Sequence, residues 1–558
     1  MGNVMVDRIW ADKYPEGISN EISYEKYSTV LDIFEDACSR FGSRPAYSNL
    51  GATITYAELD KLSSDFAAYL QTSTNLKKGD RIAVQMPNLI QFPIVVFGAL
   101  KAGMVVVNTN PMYTAREMEH QFNDAGCKAL VALANFGDLI QEVLPKTGIQ
   151  TVIITEVADI HKPLKRTLMN FAIRKIKKMV PEFSIPNAVP FTKAMKLGAK
   201  VRFDNSHRPQ IDDIAVLQYT GGTTGVAKGA MLTHKNLVSN MMQMDFVLTS
   251  LDEGQETVIT PLPMYHIFSF TVNCLAMMAR GAHNILITNP RDIPAFVKEM
   301  SQWKFTAFTG LNTLFVALLN NEEFRQLDFS GLKITVAGGM ALQAATAAEW
   351  EKVTGCRVSE GFGMTETSPV VCVNPPYAIQ IGTIGIPLPG TDIKIINDEG
   401  NEQPIGESGE LCVKGPQVMK GYWERPEATA DTFTEDGWLK TGDVAVLQAD
   451  GYLKIVDRIK DMILVSGFNV YPNEIEDVVC SHPDILEAAA VGVQDDKSGE
   501  AVKVFMVSSN PAITKEAMKA YCKENMTGYK VPKHYEFRDE LPKSNVGKIL
   551  RRELRDAK

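Results

Sequence analysis

The sequence predicts an α/β protein, and three observations carry that prediction. Short apolar runs at Arg81–Met86, Met104–Val107, Ala129–Ala132 and Thr151–Thr155 alternate with helix-like stretches, the rhythm of βαβ units and a largely parallel sheet. From Thr391 the texture changes to short strands and turns, at Asp392–Asn397, Gly409–Lys414 and Gly451–Val456. A charged break, Asp457-Arg458-Ile459-Lys460-Asp461-Met462-Ile463, then precedes a second α/β pattern of roughly 100 residues, enough for a small domain of its own.

The remaining elements follow in chain order. Residues 27–71 read as mostly helical, with Val30, Ile33, Phe34 and Ala37 at helical spacing, Thr53-Ile54-Thr55-Tyr56 strand-like and Thr55 placed to cap a helix over Tyr56–Leu70. Leu89–Ala102 reads as a helix, and Thr233 is placed to cap another over His234–Met244. Lys162–Val180 carries Lys162, Lys165, Arg166, Arg174, Lys175, Lys177 and Lys178 with no acid, and apolar residues near one helical face. It is either a surface helix packed by that apolar stripe or a helix lying on an anionic membrane surface.

Bulk properties narrow the class. At 558 residues the chain exceeds one ordinary core, so two or more domains are expected. Hydrophobic content of 45% and charged content of 22% are those of a soluble globular protein, and a net charge of −9 argues against a general nucleic-acid binder. Eight cysteines with no CxxC pair suit reduced thiols in a cytoplasmic protein. The start, Met1 to Arg8, lacks a signal-peptide pattern, and Pro93–Val107, broken by Lys101, is too short to span a bilayer.

The chemistry concentrates in glycine-rich switches. Apolar Ala215-Val216-Leu217 runs through Gln218 into Tyr219-Thr220-Gly221-Gly222-Thr223-Thr224-Gly225-Val226-Ala227-Lys228-Gly229. Glycines let backbone N–H groups turn toward an anion, hydroxyls add donors and Lys228 adds a point charge, so the stretch reads as a triphosphate cradle. Ala227 before the lysine and Gly229 after it separate it from the GxxxxGK[ST] loop. Two further strand-to-loop switches, at Gly338-Gly339 and Gly361-Phe362-Gly363-Met364-Thr365-Glu366, belong at one sheet edge, where open α/β sheets bind ligands. There Phe362 can stack on a base and Glu366 can hold a divalent cation. His266, with Tyr265 and Phe268, is either structural or part of a substrate wall. Asp443 in Thr441-Gly442-Asp443 can accept from two ribose hydroxyls, and Lys548 sits on a glycine turn near the C-terminus. Each has an ordinary alternative taken alone: a turn, an exposed acid or a solvated lysine.

Five motifs in order change that balance. YTGGTTGVAKG (219–229), GFGMTET (361–367), GWLKTGD (437–443), DRIKDMI (457–463) and PKSNVGK (542–548) together resemble the adenylate-forming superfamily of acyl-CoA synthetases, adenylation domains and luciferases, over roughly residues 25 to 555. The runs DGWLKTGDVAVLQADGYLKIVDRIKDMILVSGFNVYPNEIEDVV and LPKSNVGKILRREL look like bacterial long-chain fatty acyl-CoA synthetases in particular. The resemblance implies a large N-terminal domain of two αβ layers plus a β-barrel (1–456), a hinge (457–462) and a small mobile α+β C-terminal domain (463–558).

It also implies a two-step reaction. ATP and a fatty acid give acyl-AMP and pyrophosphate, and CoA then displaces AMP to give acyl-CoA. By the same resemblance Tyr219 through Gly229 hold the β- and γ-phosphates, and Thr220 and Glu366 contact Mg²⁺. Gly338, Gly339, Gly361, Phe362 and Thr365 frame the nucleotide, and Asp443 and Arg458 bind the ribose. Lys548 meets the α-phosphate and carboxylate, Lys460 is the hinge, and His266 and Tyr265 lie near the acyl group. Three positions depart from many relatives: Phe362 for tyrosine, Met340 for alanine, and Asn469 where acetyl-CoA synthetases carry arginine.

The leading expectation is therefore a Mg²⁺-dependent long-chain fatty acid–CoA ligase of the cytoplasm, with peripheral contact to the inner membrane through 162–180. Medium-chain or aryl acid–CoA ligases and a fatty acyl-AMP ligase loading a carrier protein are the rivals. Chain-length preference and oligomeric state, a homodimer among the options, are open at this stage.

Overall fold

A computed structural model of the chain describes residues 8–220, 227–495, 498–544 and 547–556. Two large sheets build the N-terminal part. One has seven strands, in the order Val189–Pro190, Thr151–Thr155, Cys127–Leu133, Arg81–Gln85, Val105–Thr109, Ile214–Thr220 and Lys228–Thr233. All its neighbours are parallel except the final hairpin, in which Thr220 stands opposite Lys228. The near-continuous apolar character of these strands follows from burial on both faces, as parallel sheets require.

The second sheet has nine strands, with Val358–Gly363, Ile334–Ala337, Ala307–Gly310, Thr257–Thr260 and His283–Leu286 as its parallel centre. Its far edge is a hairpin of Pro45–Asn49 and Ala52–Thr55. The mostly helical stretch 27–71 holds the helices Val30–Phe41 and Tyr56–Ser73, and the strand-like run at 53–56 falls largely in the strand Ala52–Thr55; the strand Pro45–Asn49 is the addition. Pro45–Asn49 is too short to announce itself, and its partner, His283–Leu286, lies far along the chain.

Helix starts obey local chemistry. Thr29, Thr55, Thr114 and Thr233 each accept from the backbone three residues on, and Asp32, Glu58, Glu117 and Asn236 return the bond to the cap. Such caps contribute about 1 kcal/mol each by satisfying otherwise orphaned N–H groups.

The β-rich stretch is a four-stranded antiparallel sheet of Asp392–Ile396, Ser408–Lys414, Leu439–Leu447 and Leu453–Arg458. Its outer strands are not paired with each other, so among the described residues no barrel closes. A separate five-stranded sheet begins at Ile463–Val465, with the helices Pro472–Cys480 and Lys515–Asn525 and its own apolar core.

The 162–180 segment is an α-helix, Pro163–Phe171, continuing as a π-helical turn, Ala172–Ile176, and neither part buries a residue. Leu164 is 75% exposed, Leu168 61% and Ile176 71%, while Met169, Ala172 and Ile173 are half-buried, so the apolar stripe is packed only in part. Arg174 pairs with Glu156, and Asn170 holds Asp159 and the Ala158 amide. All eight cysteines are free and buried, and no described helix is long and apolar enough to cross a membrane.

Candidate active site

The strands Ile334–Ala337 and Val358–Gly363 lie side by side in parallel, with Ala337 opposite Glu360, so Gly338-Gly339 and Gly361-Phe362 emerge together at one sheet edge. These glycines, Phe362, Thr365, His266 and Lys548 line one cleft, with Met244, Val272 and Val336 supplying apolar wall. The cleft encloses ≈ 70 Å³, and Lys548 is part of its wall. Gly339 has φ +85°, a backbone conformation that favours glycine, and a Cβ there would be in ordinary contact with Lys548 Cε at 3.5 Å.

Lys548 arrives from the C-terminal lobe on a tight turn. Ser544 N–H donates to the Lys548 carbonyl at 2.7 Å, and Lys548 N–H donates to Ser544 Oγ at 3.1 Å. Thr313 Oγ1 donates to the Gly547 carbonyl at 3.1 Å, docking the turn on the Asn312–Leu319 helix. Burial and the positive charge of Arg458 pull the Lys548 ammonium down to about 8, against the pull of Asp443 and Glu366.

Asp443 and Arg458 stand opposite each other on adjacent antiparallel strands, and Arg458 Nε lies 3.3 Å from Asp443 Oδ1. Burial pushes the Asp443 carboxyl up to about 6 although Arg458 opposes the shift. Gly442, with φ +72°, makes the bend that turns Asp443 inward, and its N–H donates to Glu410 Oε1. Lys460, on the short turn after Arg458, is lowered to about 8 by burial and by Arg458.

Glu366 lies on the 3₁₀ turn Thr365–Thr367 and is 7% exposed. Tyr422 O–H donates to its Oε1 at 2.6 Å, and the Lys228 ammonium lies 4.2 Å from the centroid of the same tyrosine ring. Its second carboxylate oxygen makes no hydrogen bond to a described residue, and the described residues contain no cluster of three or more acids, histidines or cysteines that would hold a metal by themselves. One carboxylate with a free oxygen near the hairpin of Thr220 and Lys228 fits Mg²⁺, which takes one or two carboxylates and completes its shell with phosphate and water.

His266 accepts from the Phe268 N–H through Nδ1 at 3.3 Å, capping the helix that follows, which leaves the ring proton on Nε2. Burial, then Lys548, lowers it to about 3, so the imidazole is neutral.

The phosphate-loop residues divide. Gly221, Gly222, Thr223, Thr224, Gly225 and Val226 lie outside the described residues. Thr220 and Lys228 face each other at the loop's two ends. The Tyr219 side chain is turned away from the cleft: its hydroxyl donates to Asp124 Oδ2 at 2.7 Å and its ring packs over Gly229. His120 Nε2 donates to the Ala227 carbonyl at 2.8 Å, so both legs of the loop are tied to the helix Ala115–Asp124.

Two residues that sequence reasoning missed belong here. Tyr422 joins Lys228 to Glu366 from a segment with no motif of its own. Glu360 is buried, accepts the Leu342 N–H at 2.9 Å, and is pushed up to about 8 by burial. Its signal in the sequence was an acid directly before the Gly361-Phe362-Gly363 switch.

Comparison with known proteins agrees with this geometry. The AMP-binding enzyme family matches residues 34–423, and the AMP-binding enzyme C-terminal domain matches 474–548. The chain belongs to the AMP-binding enzyme family. It is 52% identical over 554 residues to the long-chain-fatty-acid–CoA ligase of Escherichia coli O6:H1, covering 98% of each chain. It is 37% identical over 552 residues to the protein of the same name from Bacillus subtilis, covering 98% of this chain and 97% of the relative. Among solved structures, the anthranilate CoA ligase AuaEII in complex with anthranoyl-AMP superposes with a TM-score of 0.84 at 25% identity, over 95% of this chain and 97% of that one.

Proposed function

We propose that the chain is a long-chain fatty acid–CoA ligase that forms AMP. The observation that carries this is Lys548 in the cleft of the two glycine switches, within electrostatic reach of Asp443 and Glu366, in a chain 52% identical, nearly end to end, to ligases of that name. Neither an aryl- nor a medium-chain acid is favoured by those relatives.

In the first step the fatty carboxylate attacks the α-phosphate of ATP and pyrophosphate leaves. Lys548, protonated and desolvated beside Asp443, stabilises the charge that develops between carboxylate and α-phosphate. Asp443 accepts from the ribose hydroxyls, and Arg458 keeps its carboxylate oriented. Gly338, Gly339, Gly361 and Phe362 form the slot for the adenine, while Thr220, Lys228 and the backbone up to Gly229 hold the β- and γ-phosphates. Glu366 and Thr220 would hold Mg²⁺, which would supply charge neutralisation at the phosphates. The neutral His266 and the apolar wall of Met244 and Val272 border the acyl group. In the second step the CoA thiol attacks the acyl carbonyl and AMP leaves. Residues 457–462, centred on Lys460, are the hinge by which the lobe carrying Lys548 (463–558) moves relative to residues 1–456.

The basic, partly packed 162–180 segment is proposed as a peripheral contact with anionic lipid, on the same side of the membrane as the ATP pool. Seven cations and the exposed Leu164, Leu168 and Ile176 are the charge and apolar area such a contact uses. ATP–pyrophosphate exchange that depends on added fatty acid tests the reading of the site; exchange that ignores fatty acid contradicts it.

A further inference from the structure

Lys548 is costly where it lies. Its ammonium is buried beside the like charge of Arg458, so something must hold its turn against the tendency to leave. Thr313 supplies one neutral hydrogen bond to that turn. The stronger tie begins three residues later, at Arg551.

Arg551 ties the C-terminal lobe to the hinge segment with one guanidinium. On the C-terminal side its Nε donates to Glu476 Oε1 at 2.9 Å and its Nη2 to Glu476 Oε2 at 2.5 Å, while Nη2 also reaches Asn473 Oδ1 at 2.6 Å. On the other side Nη1 lies 3.5 Å from Asp457 Oδ1 and 3.6 Å from Asp461 Oδ2. Asp457 belongs to the same strand as Arg458, has no exposed surface, and is fully used: Oδ1 accepts the Arg458 N–H at 2.7 Å and Oδ2 the Asn473 N–H at 2.8 Å. Arg551, Asn473 and Asp457 thus close a ring that joins the Lys548 arm to the strand bearing Arg458. Arg555, one helical turn on, reaches Asp461 Oδ1 at 3.2 Å and extends the same grip.

We propose that Arg551 and Asp457 are positioning residues for acyl-adenylate formation: their pairing clamps the turn of Lys548 into the cleft, and neither touches a reacting atom. This rests on the reading of Lys548 as the group that serves the adenylation step. The clamp uses the guanidinium fork, which meets Glu476, Asn473 and Asp457 together; a lysine keeps the charge and loses the fork. The carboxylate of Asp457 is equally particular. Both its oxygens accept N–H groups, so an amide turns its own NH₂ against one of those donors.

The two half-reactions separate this from a merely structural role. Asp457→Asn and Arg551→Lys are made in the full-length protein. Fatty-acid-dependent ATP–pyrophosphate exchange reads adenylation, and thioester formation from supplied acyl-AMP and CoA reads the second step. Each variant is expected to lose adenylation by about tenfold or more, while thioester formation stays within about twofold, the signature of a group that acts on one transition state. The double variant is expected to lose no more than the worse single one. Equal loss in both half-reactions, or no loss in either, overturns the clamp. Asp457→Asn carries the test by itself if Arg551→Lys fails to fold, since it preserves shape and volume. If the unaltered protein shows no fatty-acid-dependent exchange, the reading of the site fails and the clamp falls with it; normal exchange with unaffected variants fails the clamp alone.

Discussion

The Tyr422 hydroxyl donates a 2.6 Å hydrogen bond to Glu366 Oε1, from a residue that bridges to Ala230 on the strand Lys228–Thr233. The same ring lies under the Lys228 ammonium, so one tyrosine couples the lysine of the loop to the acid proposed to hold Mg²⁺. Removing the hydroxyl by Tyr422→Phe keeps the ring under Lys228 and frees the Glu366 oxygen to rotate. A hydrogen bond to a charged group contributes about 1.5–3 kcal/mol, so KM for MgATP is expected to rise on the order of tenfold with the fold unchanged. Steady-state kinetics across MgATP concentrations check this, and an unchanged KM removes Tyr422 from the site.

Lys548→Ala is expected to abolish adenylation, by roughly 10²–10³-fold or more, while sparing thioester formation from supplied acyl-AMP. Single-turnover measurement of each half-reaction decides it; equal loss in both contradicts the assigned role.

The pH dependence of adenylation follows from two groups with opposite requirements. Asp443 must be ionised, and with its carboxyl at about 6 the rate falls as pH drops below 6. Lys548 must be protonated, and with its ammonium at about 8 the rate falls as pH rises above 8. The kcat/KM of the free enzyme is therefore expected to be bell-shaped with its plateau between these limits. Asp443→Asn is expected to lower the plateau and erase the acid limb. A variant that keeps the acid limb assigns it to another group.

Replacing Lys165, Arg166, Lys175, Lys177 and Lys178 by glutamine is expected to weaken binding to vesicles containing phosphatidylglycerol by more than about tenfold, at about 1 kcal/mol per cation near an anionic surface. Sedimentation with vesicles reads this. Equal binding by the variant and the unaltered protein removes the segment as the contact.

Much of this architecture is legible in the sequence, and the reasons differ from element to element. The parallel strands at 81–85, 127–133 and 151–155 stand out because burial on both faces makes them continuous apolar runs. Thr55 and Thr233 announce their helices because capping is local chemistry. The glycine switches are readable because their positions follow strand ends. Pro45–Asn49 is not, since its pairing with His283–Leu286 is set by distant chain. Tyr422, Glu360 and Arg551 are missed for the same reason: a hydrogen bond across many residues leaves no periodicity. The orientation of Tyr219 away from the cleft is decided by Asp124 on a neighbouring helix, which no reading of the loop alone supplies. The exposed apolar residues of 162–180 fit one of two readings of its amphipathic pattern, and only the surrounding structure shows how far that face is packed.

The most direct test of the central claim is thioester formation from ATP, CoA and a panel of acids running from acetate through octanoate and palmitate to benzoate, with AMP and acyl-CoA quantified together. The account predicts equimolar AMP and acyl-CoA, with the highest kcat/KM on palmitate. Turnover confined to benzoate or acetate, or acyl-AMP accumulating without thioester, contradicts it.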